Sequence, residues 1–184
     1  MHLLILPGSS KKNQTWGELV CEQYGPRFTS VHVAGYEHWA HGTPTIDFTV
    51  ELQNLRDRQN VLFDDLSLVV MAKSAGALLA FIGVTDGIIQ PRACIFFGIP
   101  FDLAAEGVFK SDWSLVQNFS VPSLAFHNEH DPTADYRYTV ATIAQYVPHI
   151  KLVTTEGDDH WYGDFTTYDT HIIPFLTSQF GAKG

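Results

Sequence analysis

One stretch decides the fold: Leu68-Val69-Val70-Met71-Ala72-Lys73-Ser74-Ala75-Gly76-Ala77-Leu78-Leu79-Ala80. An unbroken apolar run, typical of a buried strand, ends on a serine, and a run of small residues typical of a helix start follows at once. This order predicts a nucleophile elbow, the sharp strand-to-helix turn that lifts a serine out of a sheet. The elbow pattern usually has glycine two positions before and after the serine, where this chain has Ala72 and Gly76. A serine in an ordinary strand-to-helix loop is the alternative interpretation.

Size and charge narrow the class of protein. The chain has 184 residues, which predicts a single domain spanning residues 1–184. A formal net charge of −9 argues against a nucleic-acid-binding surface, and no apolar run is long enough for a membrane span. Residues 1–7 lack a basic signal-peptide region, and Cys21 and Cys94 lack metal-ligand spacing. We therefore expect a cytoplasmic protein that binds neither nucleic acid nor membrane.

Short apolar runs alternate with amphipathic ones along the chain, which is the pattern of a parallel sheet covered by helices. Six runs are predicted to be strands: Leu3–Leu6, Ser30–Ala34, Leu66–Met71, Ala93–Phe97, Ser123–His127 and Lys151–Thr154. Pro174, inside the last helical stripe, predicts a kink or a late helix start. The segment 98–120 is too short for a cap domain. The sequence thus predicts an α/β three-layer sandwich with a mostly parallel, six-stranded sheet.

Two later strand ends carry residues that could activate Ser74. The fifth predicted strand leads into His127-Asn128-Glu129-His130-Asp131-Pro132, and the sixth leads into Gly157-Asp158-Asp159-His160-Trp161. A serine nucleophile needs a base, and the base needs an orienting carboxylate. Because ligand and catalytic groups gather beyond the carboxyl ends of parallel strands, we expect Ser74, Asp131 and His160 at one edge of the sheet.

Three motifs occur in this order: the elbow Ala72–Gly76, the acid loop His127–Pro132 and the histidine loop Gly157–Trp161. On these motifs the chain resembles the α/β-hydrolase superfamily, especially its small uncapped serine hydrolases. The resemblance runs from Leu3 to about Phe180. It implies a minimal α/β-hydrolase fold without a cap domain and an esterase-like acyl-transfer mechanism that needs no cofactor. The triad carries over onto Ser74, Asp131 and His160.

Each triad member has an alternative. Asp131 before Pro132 could simply begin a helix, because aspartate is a good cap and proline suits the first turn. Asp102 and Asp135 are rival candidates for the acid. His160 could be an ordinary loop histidine.

An oxyanion hole must meet the charge that develops on the substrate carbonyl oxygen. One expected donor is the backbone N–H of Ala75, directly after the nucleophile. The other should come from the loop after the first strand, where Gly8 lets the backbone turn toward the site, and the resemblance points to the N–H of Ser9. Many family members have His-Gly where this chain has Pro7-Gly8, which leaves the second donor open. A simple strand-to-helix turn is the alternative.

The substrate pocket must be built from loops. Phe101, Trp113 and Trp161 are the expected apolar lining, with core packing as the alternative for Phe101. Lys73, beside the nucleophile, is expected to reach solvent or a nearby acid, and a lysine general base would be a different mechanism. We expect no metal, because the histidine pairs His38/His41 and His127/His130 lack complete ligand sets.

These observations predict a serine hydrolase that cleaves a small or medium carboxylic ester, a small-molecule substrate; thioesters and amides would use the same machinery. One alternative is a protein-interaction module that keeps this fold with a weak or idle triad, since fold does not fix function. Another is a flavodoxin-like binder, which is disfavoured because Gly8-Ser9-Ser10-Lys11 has only one glycine for a phosphate loop.

Overall fold

The computed structural model describes residues 1–43, 45–62 and 67–181, without the side chains of residues 59–62. Its strands are β1 (His2–Leu6), β2 (Ser30–Val33), β3 (Leu68–Lys73), β4 (Ala93–Phe97), β5 (Ser123–Asn128) and β6 (Lys151–Thr155). Its α-helices are α1 (Asn13–Tyr24), α2 (Glu37–His41), α3 (Phe48–Leu62), α4 (Ala75–Thr85), α5 (Phe101–Gly107), α6 (Ser114–Gln117), α7 (Tyr136–Tyr146) and α8 (Phe165–Phe180). A short 3-10 helix covers Gly25–Arg27.

The six strands form one sheet in the order β2-β1-β3-β4-β5-β6, and every neighbouring pair is parallel. The chain runs outward from β1 to β2 and then continues on the other side of β1 with β3. The point between β1 and β3 is therefore the topological switch point, where parallel α/β sheets open a crevice at their carboxyl edge. The loop after β1 and the turn after β3 both border that crevice.

The predicted α/β sandwich is confirmed, with a sheet that is parallel throughout. The bounds of Ala93–Phe97 agree with the prediction, and the other strands differ by one or two residues at their ends. Leu66, predicted to begin the third strand, lies outside the described residues.

Two hydrophobic clusters fill the space between the sheet and its helices. Because side chains alternate along a strand, Val70 and Ala72 of β3 enter one cluster, while Val69 and Met71 enter the other. The first cluster includes residues of α3, α4, α5 and α7, and the second includes residues of α1 and α8. Each strand of the centre is thus buried on both faces, which explains its unbroken apolar sequence.

Helices occur both between β4 and β5 and at the C-terminal stripe that holds Pro174. Residues 98–120 contain the short helices α5 and α6. The predicted late helix start at the C-terminal stripe is wrong, because α8 begins at Phe165 and runs through Pro174. No helix among the described residues is long and apolar enough to cross a membrane.

Candidate active site

Ser74 occupies a strained turn between β3 and α4. Its backbone has φ 54° and ψ −124°, a positive-φ conformation that costs a residue with a side chain about 1–3 kcal/mol. A Cβ atom at Gly76 would lie 2.0 Å from the carbonyl oxygen of Leu6 and 2.5 Å from that of Pro7. Glycine is therefore required where α4 passes the end of β1, whereas Ala72 fits as a fully buried residue of the core. The local geometry is that of a nucleophile elbow.

Asp131 lies in the loop after β5 and is held by four donors. Its Oδ1 accepts hydrogen bonds from the backbone N–H groups of Thr133, at 2.8 Å, and Ala134, at 3.1 Å. Its Oδ2 accepts from His160 Nδ1 at 2.7 Å and from the phenol of Tyr162 at 2.6 Å. The carboxylate has 0% of its side-chain surface exposed. A buried carboxylate with this many donors is fixed in place as an acceptor.

The pKa of Asp131 reflects two opposed effects. Burial raises it, but the hydrogen bonds from His160, Tyr162 and the Thr133 N–H outweigh burial and lower the pKa to about 2. Burial and the adjacent carboxylate raise the pKa of Tyr162, so the phenol stays protonated and can donate. Asp131 is therefore ionised at neutral pH and can orient an imidazole.

His160 lies beside the end of β4, the strand next to the elbow. Ser74 N–H donates to the carbonyl of Phe97 at 3.0 Å, so the next residue, Gly98, lies alongside the serine. A Cβ atom at Gly98 would be 3.0 Å from His160 Cε1 and 2.6 Å from Tyr162 Cε2. The backbone at Gly98, with φ 54°, therefore leaves room for both rings.

The His160 ring has one nitrogen committed and one free. Because Nδ1 donates to Asp131, a neutral ring presents Nε2 as an acceptor. Nε2 is buried and has no hydrogen-bond partner among the described residues. A buried acceptor without a partner is unusual in a folded protein and is expected at a site that receives a proton from a substrate or a nucleophile.

The two rival acids make other contacts. Asp135 is the N-cap of α7, where its side chain accepts from Tyr138 N–H at 2.7 Å. Asp102 lies in the first turn of α5, and its Oδ1 has no partner within the part of the chain that the structure describes. Asp131 is the carboxylate that bonds to His160.

The loop after β1 is tied down by side chains from the segment after β2, which sequence reasoning did not assign. Tyr36 OH donates to the Pro7 carbonyl at 2.7 Å. The carbonyl of Ser9 accepts from His38 Nε2 at 2.7 Å and from Trp39 Nε1 at 2.6 Å. The loop is thus held through its carbonyls, and the hydrogen on His38 is placed on Nε2. The aromatic cluster Tyr-x-His-Trp after the second strand is the only sequence signal that could have suggested this contact.

The backbone N–H groups of Ser9 and Ala75 are available. Neither donates to any residue that the structure describes. Ser9 follows β1 and Ala75 begins α4, so both belong to the switch-point crevice. The N-terminal turn of α4 adds its positive dipole end there, which favours negative charge.

The three aromatic residues predicted to line the pocket differ in how deeply they are buried. Phe101 has 0% of its surface exposed and packs against Phe81, Phe109 and Trp113, so the pocket prediction for Phe101 is wrong and core packing is observed. Trp113 is partly buried and stacks on Tyr146 of α7. Trp161 is 38% exposed and adjoins His160 in sequence.

Lys73 does not behave as predicted. It reaches neither solvent nor a carboxylate hydrogen bond, because it is 2% exposed and its Nζ donates to Asn13 Oδ1 at 2.5 Å. Lys73 follows Val69 and Met71 in the strand alternation, so its side chain lies on the α1 side of the sheet. This position does not favour Lys73 as a base for Ser74. The histidine pairs considered as metal ligands are occupied in part by carbonyl contacts of His38 and His127. No group of three or more possible metal ligands occurs among the described residues.

Comparison with known proteins identifies the fold. No protein-family model matches the chain, and no curated protein matches its sequence. Solved structures match over nearly its whole length. Est1E from Butyrivibrio proteoclasticus, with ferulic acid bound, has a TM-score of 0.67 at 17% identity, with 97% of this chain and 88% of that chain covered. A serine hydrolase involved in carbazole degradation, CarC, has a TM-score of 0.71 at 10% identity, with 97% and 91% covered.

An α/β-fold family hydrolase from Bacillus anthracis gives a TM-score of 0.65 at 13% identity, with 95% of this chain and 91% of that chain covered. At these identities the likeness concerns the fold. This chain has the α/β-hydrolase fold, and it covers most of the length of each of these neighbours.

Proposed function

We propose that this protein is a serine hydrolase that cleaves a small or medium carboxylic ester through Ser74, His160 and Asp131. One observation carries the proposal. A histidine bonded to a buried, ionised Asp131 presents a buried Nε2 with no partner among the described residues. Its ring lies against Gly98, the residue after Phe97, whose carbonyl accepts from the N–H of Ser74 in its strained turn. Serine hydrolases and esterases among the structures of the same fold support the reaction class.

The proposed reaction has two halves. Ser74 Oγ attacks the ester carbonyl carbon while its proton passes to His160 Nε2, and the N–H groups of Ser9 and Ala75 donate hydrogen bonds to the oxyanion. The carbon–oxygen bond to the alcohol then breaks, and His160 returns the proton to the leaving oxygen. A water molecule attacks the acyl group on Ser74 with His160 as base, which releases the acid and restores the serine. Asp131 keeps the imidazole in the Nδ1–H tautomer throughout and stabilises its charged form.

A fluorophosphonate probe tests the nucleophile. We expect the probe to label Ser74 and the Ser74→Ala variant to lose both labelling and hydrolysis of p-nitrophenyl esters of graded acyl length. Ser10→Ala is the matched control, because Ser10 is an exposed serine of the loop after β1 and its loss should leave labelling intact. Labelling that persists in Ser74→Ala would show that another serine reacts.

The Asp131→Asn variant tests the acid. Asparagine keeps the shape of the side chain but lacks the negative charge that accepts from His160 Nδ1–H and orients the imidazole. We therefore expect kcat to fall about 10⁴-fold, the loss typical of replacing a triad carboxylate. Full activity in this variant would move the role to Asp102 or Asp135. Correct folding without labelling or hydrolysis in the wild type would favour an interaction module with an idle triad.

A cytoplasmic location stays a prediction. Cys21 and Cys94 are both free thiols, which agrees with a reducing compartment.

A further inference from the structure

A buried cation lies directly before the proposed nucleophile. Lys73 ends β3 and has 2% of its surface exposed. Burial lowers the pKa of Lys73 to about 8, against the opposing influence of Asp131 and Asp159. Burying an ammonium group is costly unless its donors are satisfied.

The first contact of Lys73 leads to the loop after β1. Its Nζ donates to Asn13 Oδ1 at 2.5 Å, and Asn13 is itself buried at the start of α1. The amide of Asn13 lies against Gly8, since a Cβ atom there would be 2.7 Å from Asn13 Nδ2 and 3.0 Å from Cγ. The ammonium therefore holds the amide that supports the loop carrying Ser9.

The second contact leads to the histidine loop. Lys73 Nζ lies 5.4 Å from the ring centroid of Trp161 and 6.0 Å from that of Trp16, both within the range of cation–π attraction. Trp161 directly follows His160. Trp16 Nε1 donates to the carbonyl of Tyr162 at 3.0 Å, which ties the same loop to α1.

We propose that Lys73 is a positioning residue that joins the loop after β1, which carries Ser9, to the histidine loop. Its single buried charge attracts Asn13, behind Gly8, on one side and Trp161, beside His160, on the other. The two loops lie at opposite flanks of Ser74, one after β1 and the other after β6. This inference rests on the proposed ester hydrolysis, because the spacing matters only if the Ser9 N–H and His160 act on one substrate.

The Lys73→Met variant tests the proposal, because methionine fills the apolar space without charge or donor. We expect kcat for p-nitrophenyl esters to fall about 10- to 100-fold with KM changed less than about twofold, since small misplacement of reacting groups lowers the rate of the chemical step. Lys151→Met, an exposed lysine at the start of β6, is the control and should retain wild-type kcat.

The pH profile gives a readout that a purely structural role would not move. The groups facing Lys73 are the neutral Asn13 and Trp16 of α1, Asp131 of the acid loop, and Asp159 and Trp161 of the histidine loop. Loss of the ammonium charge weakens both of its contacts. Wild-type kcat should therefore decline above about pH 8, and this decline should be absent in Lys73→Met.

A second variant keeps the proposal testable if Lys73→Met does not fold. Asn13→Asp places a negative charge beside the ammonium, which favours the protonated lysine and should move the alkaline decline of kcat to higher pH. A Lys73→Met variant with kcat within twofold of the wild type overturns the inference, as does an alkaline decline of kcat that is the same in the wild type and in Lys73→Met. A wild type that neither binds the fluorophosphonate probe nor hydrolyses esters overturns the proposed function instead, and the inference with it.

Discussion

Replacement of Lys73 by methionine should change how the stability of the protein depends on pH. The lysine carries its charge in a site that is 2% exposed, so its protonated form is disfavoured in the folded state relative to the unfolded chain. Methionine has similar length and no charge. The same variant that is expected to lose activity should therefore escape the energetic cost of the buried ammonium.

The magnitude follows from the shift in pKa. Burial lowers the pKa of Lys73 from 10.5 to about 8, and at about 1.36 kcal/mol per unit the buried charge costs roughly 3 kcal/mol. Because the folded pKa lies below the unfolded one, this cost is fully present below pH 8 and disappears as the pH rises through 10.5. The unfolding free energy of the wild type should rise over that window, by about 2.5 kcal/mol between pH 7 and pH 10.

Loss of the hydrogen bond to Asn13 Oδ1 acts in the opposite direction. An acceptor left without its donor costs about 1–3 kcal/mol, which offsets much of the gain at neutral pH. That penalty stays with the variant at every pH, whereas the charge penalty stays with the wild type only at lower pH. The difference in unfolding free energy between Lys73→Met and the wild type should consequently fall by about 2.5 kcal/mol from pH 7 to pH 10.

Urea unfolding, followed by tryptophan fluorescence at pH 7, 8, 9 and 10, measures this difference directly. Other titrating groups are shared by both proteins and cancel in the comparison. The Lys151→Met control removes an exposed lysine instead of a buried one and should show a constant difference. A Lys73→Met difference that stays constant within about 0.5 kcal/mol would refute the reasoning, because Lys73 would then keep its ordinary pKa.

Three further substitutions test the site and its supports. Tyr162→Phe removes a donor to the buried Asp131 carboxylate, so the unfolding free energy at pH 7 should fall by about 1.5–3 kcal/mol in urea titrations; an unchanged value would mean that water replaces the phenol. Gly76→Ala brings a Cβ atom to 2.0 Å from the carbonyl oxygen of Leu6, which belongs to the backbone and cannot move aside. We therefore expect loss of soluble folded protein or a fall of more than about 3 kcal/mol in the free energy of unfolding. A stable, active variant would contradict the close approach. Asp135→Ala removes the N-cap of α7, which should cost about 1 kcal/mol in thermal or urea unfolding while kcat stays unchanged, and a large loss of kcat would instead give Asp135 a role in the site.

The sheet was predictable because its signals are local. Six unbroken apolar runs separated by amphipathic segments indicate strands buried on both faces, and the bounds of Ala93–Phe97 follow directly from that pattern. The elbow is local too, since strand, Ser74 and Gly76 are consecutive in the chain. Helix bounds were harder, because α8 continues through Pro174 under the packing of its apolar face against the sheet.

The surroundings of the site depended on contacts between distant residues. Sequence order left Asp102, Asp131 and Asp135 as possible acids, and only the packed loops show which carboxylate bonds to His160. The pocket prediction for Phe101 was wrong because an aromatic residue after a strand has no local mark of whether it faces a cleft or the core. The bonds from Tyr36, His38 and Trp39 to the loop after β1 likewise have no periodicity to reveal them.

By itself, the sequence determined the α/β architecture and the serine at the end of β3, since both follow from hydrophobic periodicity and from small residues at fixed offsets. The burial of Lys73, the residue beside that serine, depends on the tertiary structure. Lys73 and Asn13 are 60 residues apart in the chain, and their contact exists because α1 packs on the face of β3 that Lys73 shares. A lysine is soluble and exposed by default, so only the closed packing of α1 and the histidine loop turns it into a buried charge.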